Sequence, residues 1–420
     1  MLLSRVLLAV AASLTCSCQA TSARSAATPD PARLTLADKQ AIVREINTTL
    51  ATKAFVSTVD FLDPTPKLRL SDGAVDSAAT PGAFVALVNA QFRTFGVSHL
   101  ELETPEERQR FVAGRDVGAG VLWQRDTEGG VKGLRVHQVM PGSAADAAGV
   151  RVWDLIVAVD GTPVDGAATL GGAEGARKTI ELLRDGSRVR AVLSYRSFSP
   201  YTKPTLTWLT KDVALIPIST FTASGYDATR VDSLFTLASG ATAIILDVRY
   251  NRGGALDNVF DLLGHIFPDS VVIGRRIDRE VIARSGRAFR STRDAFEELQ
   301  RDPASEVRLS TKHRPYKGTV IVLTSHLAGS GGDRFPGTVK DLGRGTLVGR
   351  RTIGALLTGD RATLTRGYHL LYPSAEVLMP SGFRIEGVGV EPHVTLSARE
   401  VLDDATVFAT ALQVLGRTRN

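Results

Sequence analysis

Between residues 34 and 96 apolar side chains recur at helical spacing. Thr35 stands three residues before Asp38, the arrangement of a capping box, and Ile42, Ile46 and Leu50 follow at intervals of four. Phe84, Leu87, Val88 and Phe92 make a second stripe. From Phe95 to Glu103 the pattern alternates: as a strand, the segment would put Val97, His99 and Glu101 on one face and Ser98, Leu100 and Leu102 on the other. The spacing predicts an N-terminal helical unit over 33–110 that ends in this strand.

A second unit is expected over 116–197. A short strand at 117–122 precedes a longer one at 134–140, a turn at Pro141-Gly142, a small helix at 143–148, a strand at 155–159 and the hairpin signal Asp160-Gly161. From 205 to 400 short β-branched runs at 213–218, 243–248, 320–324 and 346–348 alternate with helical patterns at 232–238, 256–266 and 335–342. Uninterrupted apolar runs of this length mark strands covered on both faces, so an open α/β sheet is predicted, with its crevice at the strand ends. A helix over 401–420 closes the chain.

Composition narrows the function classes. Fifty basic and 44 acidic residues give +6, scattered without a basic stripe or interleaved aromatics, so no nucleic-acid partner is expected. Residues 1–20 read as an export signal, with Arg5 ahead of an apolar stretch. The expected location is therefore exported and periplasmic. The two cysteines, Cys16 and Cys18, both follow that stretch, which leaves the remaining chain without disulfides or cysteine metal ligands. Acylation at Cys18 (or Cys16), giving a lipid anchor as the only membrane attachment, and plain cleavage near Ala20 both stay open. No two histidines stand at metal spacing with a carboxylate, so no metal and no cofactor are expected.

The unit at 116–197 resembles a PDZ domain of the kind carried by exported bacterial proteases, with Trp153 where glycine is usual. The resemblance makes Gly118-Ala119-Gly120 the loop whose N–H groups hold a peptide carboxylate. Beyond it, Ile245 to Gly254 (Ile-Leu-Asp-Val-Arg-Tyr-Asn-Arg-Gly-Gly), Val322 to Phe335 with Gly329-Ser330-Gly331-Gly332, Leu347 to Thr352, and Ile385 to Pro392 occur in the order of the carboxy-terminal processing peptidase and tricorn core superfamily. The chain is similar to those serine peptidases over about 300 residues.

The resemblance implies that Ser330 is the nucleophile, with oxyanion donors on Gly331 and on Gly253 or Gly254. A serine hydroxyl needs a base, and the processing branch of the superfamily uses a lysine where this chain has Ala355. The tricorn branch instead implies His99 as base, with Ser98 and Glu386 orienting it, and neutral imidazole suits that role. Gly387 and His393 depart from the tricorn pattern around Glu386, and Gly331 replaces its acidic residue after the nucleophile. His326 and His369 compete weakly for the role of base, while His137, His265, His313 and His393 carry no partner signal. The expected function is an exported endopeptidase acting on unfolded or tail-exposed polypeptides that the PDZ unit collects. A non-hydrolytic binding protein of the same fold, holding an apolar ligand or a peptide, is the alternative; a scaffold whose PDZ unit only recruits partners is a third reading.

Overall fold

A computed structural model describes residues 34–164 and 170–417; the segment expected to be an export signal and both cysteines lie outside the described residues. Among those described, no helix is long and apolar enough to cross a membrane.

The central sheet has six strands in the order Thr207–Thr210, Val213–Pro217, Ala243–Asp247, Thr319–Thr324, Thr346–Gly349 and Val394–Thr395. All neighbours run parallel except the first pair. Helices Ala228–Leu237, Leu256–Gly264 and Gly331–Asp341 bury Val231, Leu262 and Phe335 against one face. Helix Asp404–Val414 buries Val407 and Ala411 on the other. This is the predicted α/β core. A buried ion pair ties the sheet to the second cover: Arg249, 2% exposed, binds Asp247 at the end of strand Ala243–Asp247 and reaches Asp404 at 2.7 Å and the carbonyl of Val401 at 2.9 Å.

A second, antiparallel sheet was not predicted. It joins Glu101–Glu103, His369–Leu378, Val272–Asp278 and Glu306–Arg308, with Leu357–Thr363 also on His369–Leu378. Its longest strand carries Pro373, Ser374 and the fully buried Glu376, which obscure any period of two. The N-terminal helices Leu36–Lys53 and Pro81–Arg93 pack on this sheet: Ile42, Ile46, Phe84 and Phe92 share one cluster with Leu357, Leu370 and Tyr372. The capping box of Thr35 and Asp38 forms.

The expected strand at 97–102 is only Glu101–Glu103. Ahead of it Ser98 and His99 lie in a loop, with His99 at φ 57°. Asn89 pins the junction, accepting from Leu102 N (2.8 Å) and donating to Leu102 O (3.0 Å). Fixing the strand at both ends of its first peptide groups holds the loop over the crevice of the central sheet.

The inserted unit is a six-stranded antiparallel sheet built on Val121–Glu128, Val131–Val139, Leu155–Val159, Arg177–Arg184 and Ser187–Ser194. A two-stranded neck, Asp116–Val117 with Ser197–Phe198, closes it. Trp153 adopts φ 77°, which accounts for glycine being the usual residue there. Its ring stacks on His137 (5.8 Å, 8°) and packs against the cluster that holds Val401 and Leu402, compensating the strained backbone.

Candidate active site

Ser330 sits between strand Thr319–Thr324 and helix Gly331–Asp341, at φ 57° and ψ −116°. A non-glycine residue holds such a conformation only where its surroundings fix it. Ser330 N donates to Asp333 Oδ2 (2.9 Å) and to Ala355 O (3.1 Å). Asp333, wholly buried, also accepts from the N–H groups of Gly354 and Ala355, each at 2.9 Å. Burial pushes its carboxyl above the usual range while these donors oppose the shift. The buried Asp333 carboxylate thus fixes the turn by gathering three backbone N–H groups.

The hydroxyl faces His99: Nε2 lies 3.1 Å from Ser330 Oγ. On the other side of the ring, Nδ1 lies 2.8 Å from Ser98 Oγ, which donates to Glu386 Oε2 at 2.9 Å. Glu386 also accepts from Ser98 N (2.9 Å) and Leu356 N (2.6 Å). With the Ser98 hydroxyl directed at the carboxylate, its oxygen accepts from Nδ1–H, so Nε2 is the bare nitrogen turned to Ser330. The chain brings Ser330, His99, Ser98 and Glu386 into one line, although Glu386 touches the imidazole only through Ser98.

Burial pulls the His99 imidazole down to about 4, with the Arg361 charge adding to it, and desolvation pushes Glu386 up against the donors from Ser98 and Leu356. Neutral imidazole is the base, so a lowered pKa keeps it competent further into acid. The acid limb of kcat/KM should therefore lie nearer pH 4 than the 6.5 of a free imidazole. A limb centred at 6.5 to 7 in a pH–rate profile would contradict this environment.

Gly253 stands against the nucleophile. A Cβ there would lie 2.6 Å from Ser330 Cβ, so only glycine allows the approach. Its N–H, however, already donates to Asn251 Oδ1 at 2.8 Å, which removes Gly253 from the expected oxyanion donors and leaves Gly254 and Gly331.

One residue of the site is absent from the sequence reading. Gly359, on strand Leu357–Thr363, lies behind the His99 ring, and a Cβ there would come within 2.7 Å of His99 Cδ2. Gly359→Ala should displace the imidazole and lower kcat about 10-fold to 100-fold, with thermal stability nearly unchanged. A steady-state assay showing wild-type kcat would exclude this role. A glycine inside a strand is the only hint the sequence offers.

The cleft in front of Ser330 and His99 is lined by Asn89, Val97, Glu101, Arg252, Ile353 and Leu371, among others. The competing histidines lie elsewhere. His326 turns its Nε2 to His137 Nδ1 (2.9 Å), at the contact between core and inserted unit. His369 meets Thr363 Oγ1 at 3.4 Å, and His393 accepts from Leu347 N at 2.8 Å. The histidines for which the sequence carries no partner signal do have partners: His137 pairs with His326, and His313 lies 2.9 Å from Asp261 and stacks on His265. These contacts join segments far apart in sequence and invisible to spacing.

In the inserted unit, Gly118-Ala119-Gly120 precede strand Val121–Glu128. The carbonyls of Ala119 and Gly120 accept from Ala145 N (2.9 Å) and Met140 N (2.8 Å), turning them inward.

The model of Peptidase family S41 matches residues 212–396, and that of a PDZ domain matches 135–184. A Staphylococcus aureus protein described as "Probable CtpA-like serine protease" is 25% identical over 320 residues, 74% of this chain and 59% of that protein. The chain thus spans about three-fifths of the length of such curated relatives. Among solved structures, the photosystem II D1 C-terminal processing protease has a TM-score of 0.57 at 19% identity, covering 88% of this chain and 98% of that one. Mature CPAF has a TM-score of 0.58 at 13% identity, covering 90% and 96%; both likenesses concern the fold. Residues 212–396, the core that holds the site, are thus similar to peptidase family S41, and residues 135–184 ahead of them are similar to a PDZ domain.

Proposed function

We propose that this protein is an exported serine endopeptidase that cuts unfolded or tail-exposed polypeptides through an acyl-enzyme. The observation that carries the reading is the 3.1 Å approach of His99 Nε2 to Ser330 Oγ, continued through Ser98 to Glu386. A peptide carbonyl enters the cleft beside Ser330. Oγ attacks the carbonyl carbon as His99 Nε2 takes the hydroxyl proton, and imidazolium is stabilised through Ser98 by the Glu386 carboxylate. The N–H groups of Gly331 and Gly254 are the donors assigned to the oxyanion. His99 then gives its proton to the leaving amine, and water, activated by the same nitrogen, hydrolyses the ester. Ala355 leaves no lysine at the position the processing branch uses, so the histidine relay stands in its place.

Recruitment is assigned to the PDZ unit: with the Ala119 and Gly120 carbonyls turned inward, the Gly118 to Gly120 N–H groups suit a chain-terminal carboxylate. Export follows the reading of residues 1–20, with a lipid anchor if Cys18 (or Cys16) is acylated. One assay tests cleavage and recruitment together. An unfolded peptide with a free C-terminus should be hydrolysed faster than its amidated twin, and Ser330→Ala should hydrolyse neither. Turnover by Ser330→Ala would remove Ser330 from the chemistry, and equal rates on the two peptides would remove carboxylate recognition.

A further inference from the structure

Away from the cleft, the fold gathers four groups from three segments. Asp232 comes from helix Ala228–Leu237, Asp261 from helix Leu256–Gly264, His265 from the cap of that helix, and His313 from the stretch before strand Thr319–Thr324. One donor atom from each of Asp232, His265 and His313 lies within 4.8 Å of the other two. His313 Nδ1 is 3.5 Å from Asp232 Oδ1, and its Nε2 is 2.9 Å from Asp261 Oδ1. Asp261 is itself held by the Tyr226 hydroxyl at 2.7 Å.

The two imidazoles stack at 3.8 Å and 24°, with Phe235 against the other face of His265 at 4.3 Å. His265 is 3% exposed, and its Nε2 is buried without a hydrogen-bond partner, 4.0 Å from Asp261 Oδ2. An unmatched polar atom in such a place calls for an occupant that nothing in the protein supplies.

We infer that Asp232, His265 and His313 form a site for a divalent transition ion of zinc-like preference, with Asp261 holding His313 from behind. Two imidazole nitrogens and one carboxylate oxygen are a donor set that zinc accepts, with solvent as the fourth ligand. Bonds of about 2.0 to 2.2 Å require the donors to close in, and exposed Asp232 is free to swing. The carboxylate on the far nitrogen of His313 is the support that metal-bound histidines receive. Spacing along the chain does not reveal this set, because its members come from positions 232, 265 and 313. The ion would staple both helices to the stretch that precedes strand Thr319–Thr324, and helix Leu256–Gly264 starts two residues after Gly254 of the oxyanion loop.

The test uses the untagged full chain, stripped with chelator, titrated with Co²⁺ and then Zn²⁺ by calorimetry, visible absorption and thermal melting. One Co²⁺ per chain with visible d–d bands, displaced by Zn²⁺, and a Tm raised by Zn²⁺ but not Mg²⁺ are expected. His313→Gln and Asp232→Asn, both at solvent-reachable positions, should weaken binding at least 10-fold while His326→Gln, in the other imidazole pair, leaves it intact. No binding by the wild type, or equal binding by His313→Gln, overturns the site. These readouts do not involve peptide hydrolysis, so they stand or fall apart from the peptidase reading.

Discussion

His99→Ala is expected to lower kcat/KM for peptide hydrolysis by about 10⁴-fold or more, with the fold retained. The imidazole is the only base within reach of Ser330 Oγ among the described residues, at 3.1 Å, and an unassisted serine hydroxyl, protonated at neutral pH, is a poor nucleophile. Removal of one member of such a set leaves only binding and oxyanion stabilisation. His99 holds no structural load beyond its contacts with Ser98, Ser330 and Gly359, so melting temperature should move little. Activity within 10-fold of wild type would show that another group takes the proton.

Glu386→Gln should cost about 10³ to 10⁴ in kcat with KM nearly unchanged. Glu386 accepts from Ser98 N, Ser98 Oγ and Leu356 N, so all three donors converge on its two oxygens. An amide has one oxygen. With its oxygen at the Oε2 place the glutamine turns its N–H₂ against Ser98 N, and in the flipped orientation the N–H₂ confronts Leu356 N and the Ser98 hydroxyl, which then loses its fixed direction. Nδ1–H of His99 then has no ordered acceptor, and the wrong tautomer can turn toward Ser330, the defect that costs a triad about that much. Adding Ser98→Ala to this variant should lose little more, because the two act as one unit. Additive losses would mean that Ser98 and Glu386 serve separate ends.

The parts of this site that could be read from the chain were local. Gly329-Ser330-Gly331-Gly332 after an apolar β-branched run already describes a strand, a tight turn and a helix start, and the turn forms there. Ala355 in place of a lysine is likewise a statement about one position. The pairing of Ser98-His99 with a residue 288 positions later rested on family resemblance, since no periodicity connects them, and the contact at 2.9 Å joins a bend before strand Glu101–Glu103 to a turn after strand His369–Leu378, both strands of the second sheet that the pattern did not reveal. That sheet escaped notice because its main strand buries Glu376 under Arg384 (2.9 Å), an ion pair that breaks the apolar alternation. The left-handed backbone of His99 contradicted the strand expected at 97–102, and a side chain needed at a cleft mouth is a reason for such a departure. Gly359 and the donor already committed at Gly253 depend on contacts between distant segments, which composition and spacing do not encode.

The central claim is that Ser330 is an activated nucleophile, and active-site labelling addresses it without knowledge of any substrate. A fluorophosphonate probe reacts only where a base and oxyanion donors surround a serine. The chain should be labelled once, at Ser330, with labelling abolished by Ser330→Ala and slowed by orders of magnitude in His99→Ala. A correctly folded wild-type chain that resists the probe, or one labelled equally well without His99, would contradict it.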